Sequence, residues 1–173
     1  MRPRADEVLH SAIWSYDTYV VPEVEEPFAK SIALTVGNLL RHVNARLEHE
    51  GQAIFDDITE MRACLAATRS FVAEIPPGRD HGTLPSLSDR IDQALGASYL
   101  EPGQYPSLRL ITNEALALRG ILDEVIRALQ ASRKALGDSS TYGGLRRQIR
   151  RCLRHQLERQ KVWDSDALSG ERR

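Results

Sequence analysis

The sequence contains no apolar run approaching the roughly 18 residues that span a membrane, and its opening residues, MRPRADEV, lack the apolar core of a secretory signal. We therefore expect a cytoplasmic protein with no membrane partner. Aromatic residues are also scarce, at 6% of the chain. This scarcity favours a core of leucine, isoleucine, valine and alanine, which suits helices better than sheets.

Familiar catalytic and cofactor motifs are missing as well. The chain has no G-x-S-x-G, no Walker loop and no G-x-G-x-x-G. Its one E-x-x-H, from Glu7 to His10, lacks the second copy that a di-iron bundle requires. Cys64 and Cys152 lie far apart without metal-binding spacing, which predicts buried, reduced thiols. We expect no catalytic residues, no metal and no cofactor, and these absences argue against an enzyme.

Apolar residues recur at steps of three and four along the chain, and no strand-like alternation competes with them. This pattern predicts an all-α fold, a mainly antiparallel helical bundle of five to six helices, four of them long. The length favours a single domain over residues 1–163, followed by a polar flexible tail at 164–173. The predicted helices cover about residues 4–21, 27–51, 54–75, 87–95, 106–136 and 145–161.

Glycine, proline and serine predict where these helices begin and end. Gly51 should end the second helix, and Gly137 should end the long helix that starts near residue 106. Ser86 or Ser88 should cap the short helix. Loops are expected over about residues 76–86 and in the stretch DSSTYGG before the final helix.

The second predicted helix carries an apolar stripe with regular spacing. Its members are Phe28, Ile32, Val36, Leu39, Val43 and Leu47. Leu34 and Leu40 lie off this stripe, so apolar side chains occupy more than one face of the helix. We therefore expect a homodimer, because symmetric dimers are the commonest oligomers of soluble proteins.

The final helix, LRRQIRRCLRHQLERQK at residues 145–161, is strongly basic. Its apolar face comprises Leu145, Ile149, Cys152, Leu153 and Leu157, and its basic face comprises Arg147, Arg150, Arg151, Arg154 and Lys161. We expect the basic face to be solvated and to pair with acidic neighbours, of which the chain offers Asp6, Glu7, Asp17, Asp56, Asp57 and Glu60. Nucleic acid is disfavoured by the net charge of −1 and the lack of interleaved aromatics. A small anion or a partner protein remains an alternative.

Two clusters of polar residues are candidate ligand sites. The first consists of Asn38, Arg41 and His42 in the second helix with Asn113 and Glu114 in the long helix. These groups would line a pocket inside the bundle or form an interhelical hydrogen-bond network. The second consists of Ser140, Thr141, Gly143, Gly144, Arg146 and Arg147. Free backbone N–H groups, hydroxyls and guanidinium groups there would bind a small anion, or the glycines would form a simple turn.

The opening third of the chain, RPRADEVLHSAIWSYDTYVVPEVEEPFAKSIALTVGNLLRHVNARLEHE, resembles a family of short, uncharacterised bacterial helical proteins. The matching positions are Arg2, Pro3, Glu7, Val8, Leu9, Pro22 and Asn38. Members of that family are encoded beside aminoglycoside-phosphotransferase-like and acyl-CoA-dehydrogenase-like proteins, which implies an accessory role to such an enzyme. Here Lys30 and the apolar stretch from Ser31 to Val36 replace the charged and histidine positions of that family.

These observations lead to two functional hypotheses. The first is an accessory or interaction module that supports a neighbouring phosphotransferase-like or acyl-CoA enzyme. The second is a small-molecule or anion-binding protein or enzyme, with a polar pocket inside the bundle. Convergence of the candidate polar groups on one open cavity would favour the second hypothesis.

Overall fold

The computed structural model describes residues 3–75, 84, 86–98, 106–137 and 139–167, the last five of these through their backbone alone. Within these ranges every regular element is helical, which confirms the predicted all-α bundle. The α-helices are α1 (Ala5–Ser15), α2 (Pro27–Ala73), α3 (Leu87–Gly96), α4 (Leu108–Ala131), α5 (Arg133–Leu136) and α6 (Ser140–Ala167). No described helix is long and apolar enough to cross a membrane.

Helix α2 is a single helix of 47 residues, so the predicted break near Gly51 is wrong. A glycine inside a helix costs about 1 kcal/mol relative to alanine, but it still donates its backbone hydrogen bond. The helix therefore continues through Gly51. At its start, the carboxylate of Glu26 accepts hydrogen bonds from the N–H groups of Ala29 (2.5 Å) and Phe28 (3.0 Å). These bonds lower the pKa of Glu26.

Replacing Gly51 by alanine should stabilise the protein by about 0.5–1 kcal/mol, because the unfolded chain loses more freedom than the helix does. A methyl group there would meet no atom within 4 Å. The matched control is Gly137→Ala, because Gly137 ends α5 with φ of 63°. With ψ of −155°, this conformation is one that essentially only glycine adopts, and alanine there should cost about 1–3 kcal/mol. Thermal unfolding of both variants measures the two effects, and equal shifts in one direction would contradict this account.

The long helix and the basic helix also depart from their predicted bounds. The long helix breaks at Ser132, and the short α5 then ends at Gly137, as predicted. The stretch predicted as a loop before the basic helix is helical from Ser140 onward. Ser139 caps this end, since its Oγ accepts a hydrogen bond from the N–H of Tyr142 at 3.2 Å. Serine is among the best N-cap residues, and this cap offsets the poor helix propensity of the two glycines.

Other predicted ends lie partly outside the described residues. Helix α3 begins after Ser86, whose side chain makes no capping hydrogen bond. Most of the predicted loop at 76–86 lies outside the described ranges. Helix α6 continues to Ala167, so the first four residues of the predicted tail are helical. The rest of that tail, residues 168–173, is also outside the described residues.

The chain divides into two compact units. One contains Met1–Gln52 and Glu158–Arg173, and the other contains Ala53–Leu157. In the first unit, a π-helical turn at Tyr16–Val20 and a 3-10 turn at Val21–Glu23 extend α1. The hydroxyl of Tyr16 donates to the carbonyl oxygen of Ala33 at 2.9 Å.

The second unit is an up, down, up, down arrangement of α2, α3, α4 and α6. In the contacting pairs, residue numbers rise along one helix while they fall along its neighbour, which shows that neighbouring helices are antiparallel. The pairs that establish this are Arg69–Asp92 and Arg62–Leu95 for α2 with α3, and Phe71–Tyr142, Cys64–Gln148 and Glu60–His155 for α2 with α6. For α3 with α4 they are Arg90–Glu124 and the shared cleft lining of Ala97 and Glu114. Fully buried side chains fill the space between the helices, among them Met61, Leu65, Ile91, Leu118, Leu122 and Val125.

Candidate functional site

Two of the polar residues of α2 that were predicted as a ligand site make side-chain contacts within the first unit. Arg41 donates to Asp17 at 2.6 Å and to Asn38 at 3.1 Å. Gly37 lies beside this contact, since a Cβ atom there would lie 3.4 Å from an Asp17 carboxylate oxygen. His42, the next residue along α2, is half-buried. This network fixes the end of α1 against α2, and all of its members belong to the first unit.

The remaining two residues of that candidate set, Asn113 and Glu114, belong to the second unit, so the structure does not define the five as one site. Asn113 is exposed, whereas Glu114 is buried. Arg62 donates to the Glu114 carboxylate at 2.7 and 3.0 Å. It also donates to the carbonyl oxygens of Leu95 (2.7 Å) and Ala97 (2.5 Å). Arg62 therefore ties α2 to α4 and to the end of α3.

A cleft of about 250 Å³ lies beside this ion pair. Its lining includes Arg90, Gln93, Glu114, Ala117 and Leu118. Its charged groups are already paired, Glu114 with Arg62 and Arg90 with Glu124. The cleft contains no cysteine, histidine, serine or threonine among its described lining residues. Because its charged groups are engaged in ion pairs, Gln93 is the uncharged polar side chain of this lining that could contact a ligand.

The two cysteines, distant in sequence, meet inside the second unit. Both are buried free thiols, as predicted. A hydrogen bond from Cys152 lowers the pKa of the Cys64 thiol. The same hydrogen bond, together with burial, raises the pKa of Cys152. One turn away, His155 Nδ1 lies 2.9 Å from a carboxylate oxygen of Glu60. Among the described residues, no group of three or more potential ligands is arranged to hold a metal ion.

At the predicted anion site, two backbone N–H groups at the start of α6 donate to Ser139 and are therefore not available to an anion. The N–H of Gly143 donates to the carbonyl oxygen of Ser139 at 3.0 Å, and the N–H of Tyr142 donates to the Ser139 side chain. The guanidinium group of Arg146 lies over the ring of Tyr142, 5.6 Å from its centroid. Of the predicted donors, the exposed side chains of Ser140, Thr141 and Arg147 remain at the surface.

Four arginines form an exposed line on α6, which we term the arginine row. Its members are Arg147, Arg150, Arg151 and Arg154. At 100° per residue they fall within an arc of about 100°. None makes an ion pair with a carboxylate in the part of the chain that the structure describes. For these four arginines, the predicted pairing with acidic neighbours is therefore not found among the described residues.

Three of the acids expected to pair with the arginine row have other partners. Asp17 pairs with Arg41, Asp57 with Arg119 at 3.0 Å, and Glu60 with His155. The predicted apolar face of the same helix is only partly buried. Leu145, Ile149 and Cys152 are buried, whereas Leu153 and Leu157 are exposed. The arginine row thus lies beside exposed leucines on a single helix.

A second exposed surface lies on the first part of α2. The predicted apolar stripe there is between 38% and 72% exposed, and we term it the α2 apolar face; its members are Phe28, Ile32, Val36, Leu39, Val43 and Leu47. Periodicity identified this stripe, but periodicity alone did not reveal that it is uncovered.

Comparison with known proteins finds no family model, no curated protein and no solved structure that matches this chain.

Proposed function

We propose that this chain is an accessory interaction module without catalytic chemistry of its own, and that its arginine row binds an acidic surface of a partner protein. The observation that carries the proposal is a set of four exposed arginines on one helix face, with no carboxylate partner among the described residues. Guanidinium groups bind carboxylates in bidentate geometry, and charge complementarity steers partners together.

The surroundings of the arginine row favour a protein over a phosphate backbone. Leu153 and Leu157 lie beside the row and are exposed, and an amphipathic acidic helix would bury both of them while its carboxylates meet the arginines. A phosphate backbone offers no apolar surface for these leucines. The net charge of −1 also opposes long-range attraction to nucleic acid.

The second hypothesis, a small-molecule site inside the bundle, has less support. The cleft beside Glu114 has its charged groups in ion pairs. Asn38 and Arg41 are engaged with each other and with Asp17. An accessory module needs no such pocket. The sequence resemblance makes a phosphotransferase-like or acyl-CoA-dehydrogenase-like enzyme the first partner to test.

The test compares partner capture by the wild-type chain and by Arg150→Glu with Arg154→Glu. The matched control is Arg109→Glu with Arg133→Glu, which makes the same charge change at exposed arginines outside the row. The wild type and control should retain a common acidic protein, and the row variant should lose it at least about tenfold, since one tenfold loss corresponds to 1.4 kcal/mol. Binding of the purified partner should weaken as salt rises.

Two results would contradict the proposal. Retention of every captured protein by the row variant would show that the arginine row is a solvated surface. Loss of the captured material after nuclease treatment, with direct binding of the purified chain to RNA or DNA, would show that the row binds nucleic acid instead. Circular dichroism of both variants controls for loss of helix.

A further inference from the structure

The α2 apolar face has no cover within the described part of its own unit. The buried residues among the described positions of that unit are Ile13, Ala33 and Gly37. At 100° per residue, Ala33 and Gly37 lie about 90–130° around α2 from the centre of the apolar face. Helix α1 and its π turn contact α2 on the side of Ala33 and Gly37. They therefore leave the apolar face exposed to solvent.

The apolar residues of this face have the same spacing whether the helix is read from its N-terminus or from its C-terminus. From Phe28 to Leu47 the steps between its members are four, four, three, four and four residues. An antiparallel second helix with the same sequence would therefore match it position for position. Phe28 would lie opposite Leu47 of the second copy, Ile32 opposite its Val43, and Val36 opposite its Leu39. A two-fold interface requires this kind of self-complementary pattern.

We propose that a second copy of the chain covers the α2 apolar face, with the two α2 helices antiparallel and the two-fold axis between Val36 and Leu39. Six apolar side chains from each copy then form one continuous contact. The face extends about 28 Å along the helix at 1.5 Å per residue, which is the length of a substantial helix–helix interface.

The chemistry of the face favours a second copy over the acidic partner proposed for the arginine row. Lys30 and Arg41 lie on other sides of α2, and Arg46, at the end of the face, is paired with Glu50. The centre of the face is therefore uncharged and matches another uncharged apolar surface. This inference is independent of the proposed function, since the row variant should remain dimeric.

Sedimentation equilibrium at micromolar concentration tests the oligomeric state. The wild type should have twice the 19.4 kDa mass of the chain. Leu39→Glu should be monomeric, because it places a carboxylate at the centre of the interface on each copy. The control Leu116→Glu makes the same change at an exposed leucine of α4, and it should remain dimeric. A monomeric wild type, or a dimeric Leu39→Glu variant, would overturn the proposal.

A disulfide test fixes the register and does not depend on Leu39→Glu being folded. In a chain with Cys64→Ala and Cys152→Ala, one preparation carries Phe28→Cys and another carries Leu47→Cys. Mixing the two under mild oxidation by oxidised glutathione should give a cross-linked heterodimer, with two thiols oxidised to one disulfide and glutathione reduced. Each preparation alone should not cross-link. Efficient cross-linking of Phe28→Cys with itself would indicate a parallel pair and overturn the antiparallel arrangement.

Discussion

Arg62→Met should lower the free energy of unfolding by about 3–5 kcal/mol, because it removes the charge partner of a buried carboxylate. Glu114 is 3% exposed and accepts two hydrogen bonds from Arg62. Burying a carboxylate without its cation carries a desolvation cost that the remaining contacts do not offset. For a chain of this length, the melting temperature should fall by roughly 6–20 °C.

A double variant separates the charge from the other contacts of Arg62. Arg62→Met with Glu114→Leu should recover most of the lost stability, because apolar residues of similar size replace buried ion pairs at little cost. The carbonyl oxygens of Leu95 and Ala97 lose their donor in both variants, so the difference between the variants reports on the carboxylate. If the double variant were as unstable as Arg62→Met, the carboxylate would not be the cause.

Arg69→Met is the matched control on the same helix. Arg69 also joins α2 to α3 through an ion pair, with Asp92, but its side chain is 56% exposed. Exposed ion pairs contribute about 0–1 kcal/mol, so this variant should unfold close to the wild type. Chemical denaturation of the four proteins at neutral pH provides the comparison. A loss of several kcal/mol in Arg69→Met would show that burial does not control the effect.

The helical class and most helix positions could be predicted from the sequence, because the three-and-four spacing of apolar residues is a local property of the chain. Helix ends were less predictable. Gly51 was expected to end a helix, yet the roughly 1 kcal/mol cost of a glycine is small beside the hydrogen bonds and packing of a long helix. The low helix propensity of Gly143 and Gly144 likewise predicts a loop, but the hydrogen bond from the Tyr142 N–H to the Ser139 cap offsets that low propensity.

The partners of the polar residues could not be predicted, because they depend on contacts between distant segments. Asp17 was expected to pair with the basic final helix, but it pairs with Arg41 across 24 residues of chain. Glu114 forms an ion pair with Arg62, a residue 52 positions away that no sequence motif identifies. The side-by-side placement of Cys64 and Cys152 was equally invisible in the sequence.

Whether each apolar stripe is buried or exposed could not be predicted from the sequence either. The stripe from Phe28 to Leu47 and the apolar residues from Ile54 onward both recur at steps of three and four, yet the first stripe is exposed and the second contributes Ile58, Met61 and Leu65 to the core. Periodicity identifies the face that needs a cover but not what covers it. The sequence therefore reveals the α2 apolar face and the arginine row as patterns, but it does not reveal that both are exposed.

Leu122→Ala should destabilise the second unit by about 2.7–5 kcal/mol, because it removes a side chain from the middle of the core and leaves a cavity. Leu122 is fully buried on α4. The size of the loss depends on how far its neighbours can relax. Helical neighbours on several sides, including Leu118 and Val125 on the same helix, limit that relaxation.

Leu116→Ala on the same helix is the control, since Leu116 is 57% exposed and alanine is at least as good a helix former. Its free energy of unfolding should change by less than about 0.5 kcal/mol. Both variants should keep the dimeric mass proposed for the wild type, because neither residue belongs to the α2 apolar face. Equal losses in the two variants would mean that this face of α4 is covered in solution, and the assignment of the core to the Leu122 side would then be wrong.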